Sequence, residues 1–267
     1  MWMGLIEEVA SAARVSAIKI DKDGGNLKVS TLERDGKKYY YYVLPDGRRA
    51  FYQDFAWADE FYCGIACVKI ACEASGDYYF FIRSDGTRIS PCTTYDEASR
   101  FHDGLACMRA RSGFYHYIAT NGDRISDKSY KNAGSFHNGL ALVQGDDDEY
   151  FFININEENV FGKFKKASSF SLGLACVQFK SDDYGYIRLD GSKAFSRDFR
   201  WADSFTKDGF ACVKFRRSYG YINLDGEKVF NVGFKKVKPF VDGVATARLN
   251  NGNWAKLYPG GLIEEII

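Results

Sequence analysis

Four cysteines, Cys67, Cys107, Cys176 and Cys212, occupy one position of a recurring Gly-apolar-Ala-Cys pattern. Thiols brought together in a column would make a metal site or a redox relay. Leu142 and Thr246 hold the same position in sister copies, however, which marks it as a packed site for a small, fairly apolar side chain. His102 and His137 share a second position, directly after a Phe. A catalytic imidazole needs a nucleophile or carboxylate fixed beside it, and no Gly-x-Ser-x-Gly or His-Glu-x-x-His run is present. Equivalent copies carry Tyr62, Ser171, Thr206 and Val241, so a solvent-facing loop is expected there. Asp21-Lys22-Asp23-Gly24 and Asp146-Asp147-Asp148-Glu149 are acidic enough to suggest calcium. The first lacks the ligand order of an EF-hand and the second falls where other copies turn, so both are read as exposed turns. No catalytic residue, metal or cofactor is expected, and the protein is read as a non-enzyme.

Binding chemistry is better represented. Tyr39 to Tyr42 and Tyr78 to Phe81 place aromatics on both faces of a strand, more than a one-sided core needs. Tyr39, Tyr41 and Tyr78 are therefore candidates for an exposed binding patch. Trp57 and Trp201 share a repeat position and are candidates for stacking against sugar rings. The charge balance, 36 Lys and Arg against 35 Asp and Glu, gives +1 and supplies no field for nucleic acid or an anionic membrane. No apolar run approaches the length of a membrane-spanning helix, and Met1 to Glu8 has no basic start and turns acidic, unlike a secretory signal. Seven cysteines without Cys-x-x-Cys spacing read as reduced thiols, so a cytoplasmic location is expected.

A tandem repeat must position these residues. Gly-apolar-Ala occurs at Gly64, Gly104, Gly139, Gly173, Gly209 and Gly243, at spacings of 34 to 40 residues. An aromatic strand closed by a turn comes after each, cleanest in Tyr184 to Gly191 and Tyr219 to Gly226. A third element, aromatic-x-x-Ala-x-x-Phe, keeps constant spacing at Phe55, Tyr95, Tyr130, Phe164 and Phe199, with Val at its centre after Phe234. An aliphatic version, Val9/Ala12/Val15, stands near the N-terminus. Three elements recurring together establish a tandem array.

Asp-Gly or Asn-Gly at Asp46, Asp85, Asn121, Asp190 and Asp225 predicts two-residue hairpin turns, so each aromatic strand should fold back antiparallel on the next stretch of chain. Within Tyr184 to Ile187 large residues alternate with Gly185, which predicts one core face and one face open to close approach. Ala175 and Val177 fall on one side of their strand with Leu174 and Cys176 on the other, a strand expected where space is tightest. The aromatic-x-x-Ala-x-x-Phe element has helical spacing but too few residues for a stable helix. It is read as a connector whose aromatics cap a core shared by neighbouring repeats.

These residues resemble the WG-repeat family, also called KWG repeats, bacterial proteins whose units carry Phe-x-x-Gly-Leu-Ala-x-Val and then Trp or Tyr-Gly-Tyr-Ile-Asp-x-x-Gly. Phe170 to Gly191 and Phe205 to Gly226 match almost throughout, and the likeness extends from about Val9 to Ile267. Tyr184 and Tyr219 stand where the family commonly has Trp, the next Gly is lost as Phe80, His116, Phe151 and Ala255, and the fourth copy ends in Asn156-Glu157-Glu158. The resemblance implies a β-rich binding scaffold with no catalytic residues to carry over. The fold expected is all-β: seven tandem antiparallel β-meander repeats closed as a seven-bladed propeller-like ring, with an open β-repeat superhelix as the alternative. Residues 1–24 form an N-terminal segment that could close the array, succeeded by one domain over 25–267 with units 25–61, 62–101, 102–136, 137–170, 171–205, 206–240 and 241–267. The function expected is a scaffold for another protein or a peptide. A carbohydrate- or cell-wall-binding module is the runner-up, and an enzyme with a carboxylate-based site is third.

Overall fold

The computed structural model describes residues 27–62, 64–71, 77–89 and 95–266. The element Val9 to Val15 and the turn Asp21 to Gly24 lie outside the described residues. The aromatic and β-branched runs become strands, and the described residues contain no helix. They build seven antiparallel sheets in which sequence neighbours are always spatial neighbours. Two compact units divide between Asp127 and Lys128, the first holding three of these sheets and the second four.

One repeat of the second unit shows the construction. Lys166–Ala167 pairs with Leu174–Gln178, which pairs with Tyr184–Arg188. The chain then turns and returns irregularly, bridging Ile187 to Lys193 and Tyr184 to Phe199. The backbone N–H groups of Tyr184 and Phe199 each donate to the other's carbonyl at 2.8 Å. Phe199 thus closes one sheet, and Trp201–Ala202 opens the next by pairing with Lys214 and Val213. The aromatic-x-x-Ala-x-x-Phe element is a sheet-to-sheet connector, as its shortness requires.

The turns differ from expectation. Asp190-Gly191 is not a two-residue hairpin: Arg188 N–H donates to Ser192 O at 2.9 Å and Gly191 N–H to Arg188 O at 2.9 Å, enclosing three residues with only Gly191 at positive φ. The Asp190 carboxylate instead accepts from Ser192 N–H at 2.9 Å, which explains the Asp without a left-handed backbone. Asp46, Asp85 and Asn121 accept in the same way from Arg48, Thr87 and Asp123. The two-residue turns with both φ positive lie at Asp35-Gly36, Asp103-Gly104, Asn138-Gly139, Leu172-Gly173 and Asp242-Gly243. In all but the first, that Gly begins the Gly-apolar-Ala strand. Glu157 takes the missing turn Gly's place at φ 56°.

The expectation of a single core face is also corrected, because both faces are buried. Tyr186, Leu174 and Cys176 pack with Phe199 and Phe205 of the connector and with Ala202, Ala211 and Val213 of the next sheet. Ile187, Ala175 and Val177 pack with Phe152 and Phe164 of the preceding one. Sheets therefore stack face to face, and Ala at 175 and 211, each at most 1% exposed, sets the closest approach. Buried tyrosines lock one sheet to the next: Tyr186 Oη donates to Asp203 O at 2.6 Å, Tyr221 Oη to Lys238 O at 2.8 Å and Tyr42 Oη to Asp59 O at 2.6 Å.

Candidate functional site

The hairpin that joins the two long strands of each repeat carries the most variable residues on the most constant support. Gly185 lies opposite Val177, and a Cβ on it would stand 2.6 Å from Phe179 Cε2. The Phe179 ring fills that space and meets Phe164 edge-on at 6.2 Å. Gly220 makes the same room for Phe215, whose ring lies 5.8 Å from Phe199. In the fourth copy the partners are exchanged: Gly145 stands in the place of Phe179, and Phe151 in the place of Gly185 lies 6.2 Å from Tyr130. Ala110 with His116, and Leu249 with Ala255, keep the same reciprocity of small against large. One ring or bulky group, supplied by either strand, fills one site against the connector's first aromatic.

A cation covers that ring. Lys193 lies 5.6 Å from the Phe179 centroid, Lys228 5.3 Å from Phe215, Lys163 5.8 Å from Phe151 and Arg88 4.4 Å from Phe80. At His116 burial and then nearby Arg124 hold the imidazole pKa down to about 4, and its Nε2 has no hydrogen-bond partner.

Above the ring the loops enclose clefts, and two of them in the second unit fall at equivalent repeat positions. One, about 360 Å³, is lined by Lys128, Tyr130, Asp146, Asp147, Phe151 and Lys163. The other, about 510 Å³, is lined by Asp183, Arg197, Asp198, Arg200, Phe215 and Arg216. Acidic residues 146 and 147 thus stand at the repeat positions of Arg216, which lines the second cleft, and Arg217 beside it. In the first cleft Asp147 is ion-paired with Lys163, and that hydrogen bond holds its carboxyl below the usual carboxylate range. Lys131 reaches Asp148 at 3.0 Å.

The WG-containing repeat family matches residues 79–110 and 219–254. Those two stretches are WG-containing repeats. No curated protein is similar enough to count as a relative. Among solved structures, the chain is similar to the computationally designed Ika8 protein, at 11% identity over 89% of this chain and 82% of that one, TM-score 0.41. It is also similar to BamB from Moraxella catarrhalis, at 11% identity, 93% and 88% coverage and TM-score 0.40. The C-terminal WD40 domain of Sif2 is similar at 9% identity, 90% and 81% coverage and TM-score 0.41.

Each sequence-predicted residue has a definite place in the repeat array. Tyr39 and Tyr41 are half-buried in Lys37–Val43, with Arg34 5.7 Å from the Tyr39 ring and Arg49 4.1 Å from Tyr41. Tyr41 holds the repeat position of Gly185 and Phe151, as one of the filled ring sites. Tyr78 is half-buried with its ring 6.1 Å from Phe80. Trp57 and Trp201 are half-buried, each edge-on to a Tyr at 6.0 Å, Tyr79 and Tyr219. The structure brings neither Trp to the two clefts.

The cysteines lie in separate packed sites: Cys67, Cys176 and Cys212 each belong to a different core cluster. Burial pushes the Cys107, Cys176 and Cys212 thiols up to about 12 and raises Cys67 as well. Cys176 Sγ donates to Ala202 O at 3.5 Å. His102 is half-buried, less open than the loop position predicts, while His137 is exposed.

Sequence reasoning missed the clefts and their covering cations. Both had a signal in the repeats. Arg49, Arg88, Arg124, Lys193 and Lys228 each stand two residues after a turn Gly, and each lost WG glycine is matched upstream at Ala110, Gly145 or Leu249, the longer Ile70 to Phe80 connection excepted.

Proposed function

We propose that the protein is a non-enzymatic repeat scaffold that binds another protein or a peptide through the hairpin clefts. The observation that carries this reading is the pair of equivalent clefts in the second unit, whose rings are supported alike and whose tips carry opposite charge, Asp146-Asp147 against Arg216-Arg217. Loop variation on a constant frame is how a repeat protein acquires a specific partner. A cytoplasmic setting belongs to the same proposal, and the buried thiols at Cys67, Cys176 and Cys212, which form no disulfide, support it.

Lysine-directed cross-linking in native cell lysate, with sites mapped by mass spectrometry, tests the proposal. Partner cross-links are expected at Lys131, Lys163 and Lys228, beside the clefts, and not at Lys207, which lies by the turn at the other end of its strand. Cross-links confined to Lys207, or absent altogether, would overturn it.

A further inference from the structure

The cleft at Phe215 holds cations that no carboxylate among the described residues neutralises. Arg197 lies 5.8 Å and Lys228 5.3 Å from the Phe215 ring centroid, Arg216 lines the cleft and Arg217 stands next to it at the hairpin tip. Its two carboxylates are already held, Asp183 by Arg200 at 3.4 Å and Asp198 by Lys193 at 2.8 Å. Arg197, Arg216, Arg217 and Lys228 have no ion pair among the described residues.

Sister copies show what neutralises these positions elsewhere. Arg49 pairs with Asp54 at 2.7 Å, five residues on, as Lys193 does with Asp198. Five residues after Lys228 stands Gly233, where a Cβ would lie 2.6 Å from Ser218 Cβ, so a carboxylate has no room. The Asp147 tip of the fourth copy is answered by Lys163, whereas Arg216-Arg217 is unanswered. The loop is also tighter: Phe215 N–H donates to Ser218 O across two residues, while Phe179 N–H reaches Asp183 O across three. Both residues at the tip are arginine.

We propose that this cleft binds an acidic peptide segment of a partner protein, its Asp or Glu carboxylates taken by Arg197 and Arg216 with Lys228 beside them. The assignment rests on the interaction reading above and gives its ligand a chemistry. A guanidinium fork matches a carboxylate with two parallel hydrogen bonds. A continuous polyanion fits worse, because Asp183 and Asp198 stand in the same cleft. Arg197 and Lys228 also lie over the Phe215 ring, where a nucleobase would have to stack.

The test is fluorescence anisotropy of a labelled peptide of alternating Glu and Ser residues titrated with the full chain. Saturable binding that weakens with salt is expected. The double variant Arg197→Ala/Arg216→Ala should weaken it by about tenfold or more. Lys235→Ala/Lys236→Ala, which removes the same charge from an exposed pair elsewhere in the unit, should change it by less than about twofold. Thermal melts of both variants should match the parent. Equal losses in the two variants, no loss in the first, or tighter binding of a single-stranded oligonucleotide of equal charge would overturn the assignment. If the peptide fails to bind while the chain still cross-links a protein at Lys131 or Lys163, the acidic-peptide assignment falls and the scaffold reading stands. If both fail, both fall.

Discussion

Exchanging the two residues of one ring site should be nearly neutral although each half of the exchange is destabilising. Phe179→Gly removes a half-buried ring that packs on Phe164. A fully buried Phe truncation costs about 3–5 kcal/mol, so half-burial puts this one at about 2 kcal/mol. Gly185→Phe, made while Phe179 is in place, sets a Cβ 2.6 Å from Phe179 Cε2 and should cost about 1–3 kcal/mol by overpacking. The double variant recreates the Gly145 and Phe151 arrangement of the fourth copy, in which a Cβ on Gly145 would lie 3.2 Å from the Phe151 ring. Gly185 is not at positive φ, so the new Phe meets no backbone strain. Asp198 Oδ1, 3.0 Å from the added Cβ, lies on an exposed residue and can swing away. The expected coupling is therefore about 3–5 kcal/mol in favour of the pair, the sum of the two single costs, read as urea midpoints of the four proteins in the cycle. A double variant as destabilised as the sum of the singles would refute the reciprocity.

Tyr221→Phe, which removes the bond from Oη to Lys238 O, should lower stability by about 1 kcal/mol without altering the sheets; an unchanged urea midpoint would show that the hydroxyl does not lock them. Phe205, 3% exposed and shared by two sheets, should cost about 3–5 kcal/mol as Phe205→Ala, and an unchanged melt would place its ring outside the core. His116 titrates near 4 in the folded chain against 6.5 unfolded, so the unfolded state binds more protons between those values. Stability should fall as pH drops from about 6.5 towards 4 and level off below, by up to about 3 kcal/mol, and His116→Phe should remove that slope. The same slope in the variant would assign it elsewhere. Native protein treated with a maleimide should remain unlabelled at Cys67, Cys107, Cys176 and Cys212 until denaturant is added, and mass spectrometry finding early labelling would contradict their burial.

The period, the three elements and their strand character were legible because each rests on residue types repeated at fixed spacing. The turn geometry was misread because Asp-Gly serves two loops. Where the Asp carboxylate caps a nearby N–H, as at Asp190, the backbone needs only one left-handed residue. The second buried face was hidden for another reason: stacking of sheet on sheet is a property of the array, and alternation within one strand cannot report it. The clefts were obscured because the constant feature there is the sum of two positions. Phe179 with Gly185 and Gly145 with Phe151 look like unrelated losses until the strands are paired. Tyr39, Tyr41 and Tyr78 drew attention through their number, yet each ring already has a cation or an aromatic neighbour.

The central claim is that variable hairpin tips on a constant frame choose the partner. Its most direct test is Arg216→Asp/Arg217→Asp, which gives the sixth copy the acidic tip of the fourth, compared with the parent by quantitative mass spectrometry of cross-linked captures from native lysate. An unchanged melting temperature and loss or replacement of the captured protein are expected. The same protein captured in the same amount by both chains would contradict it.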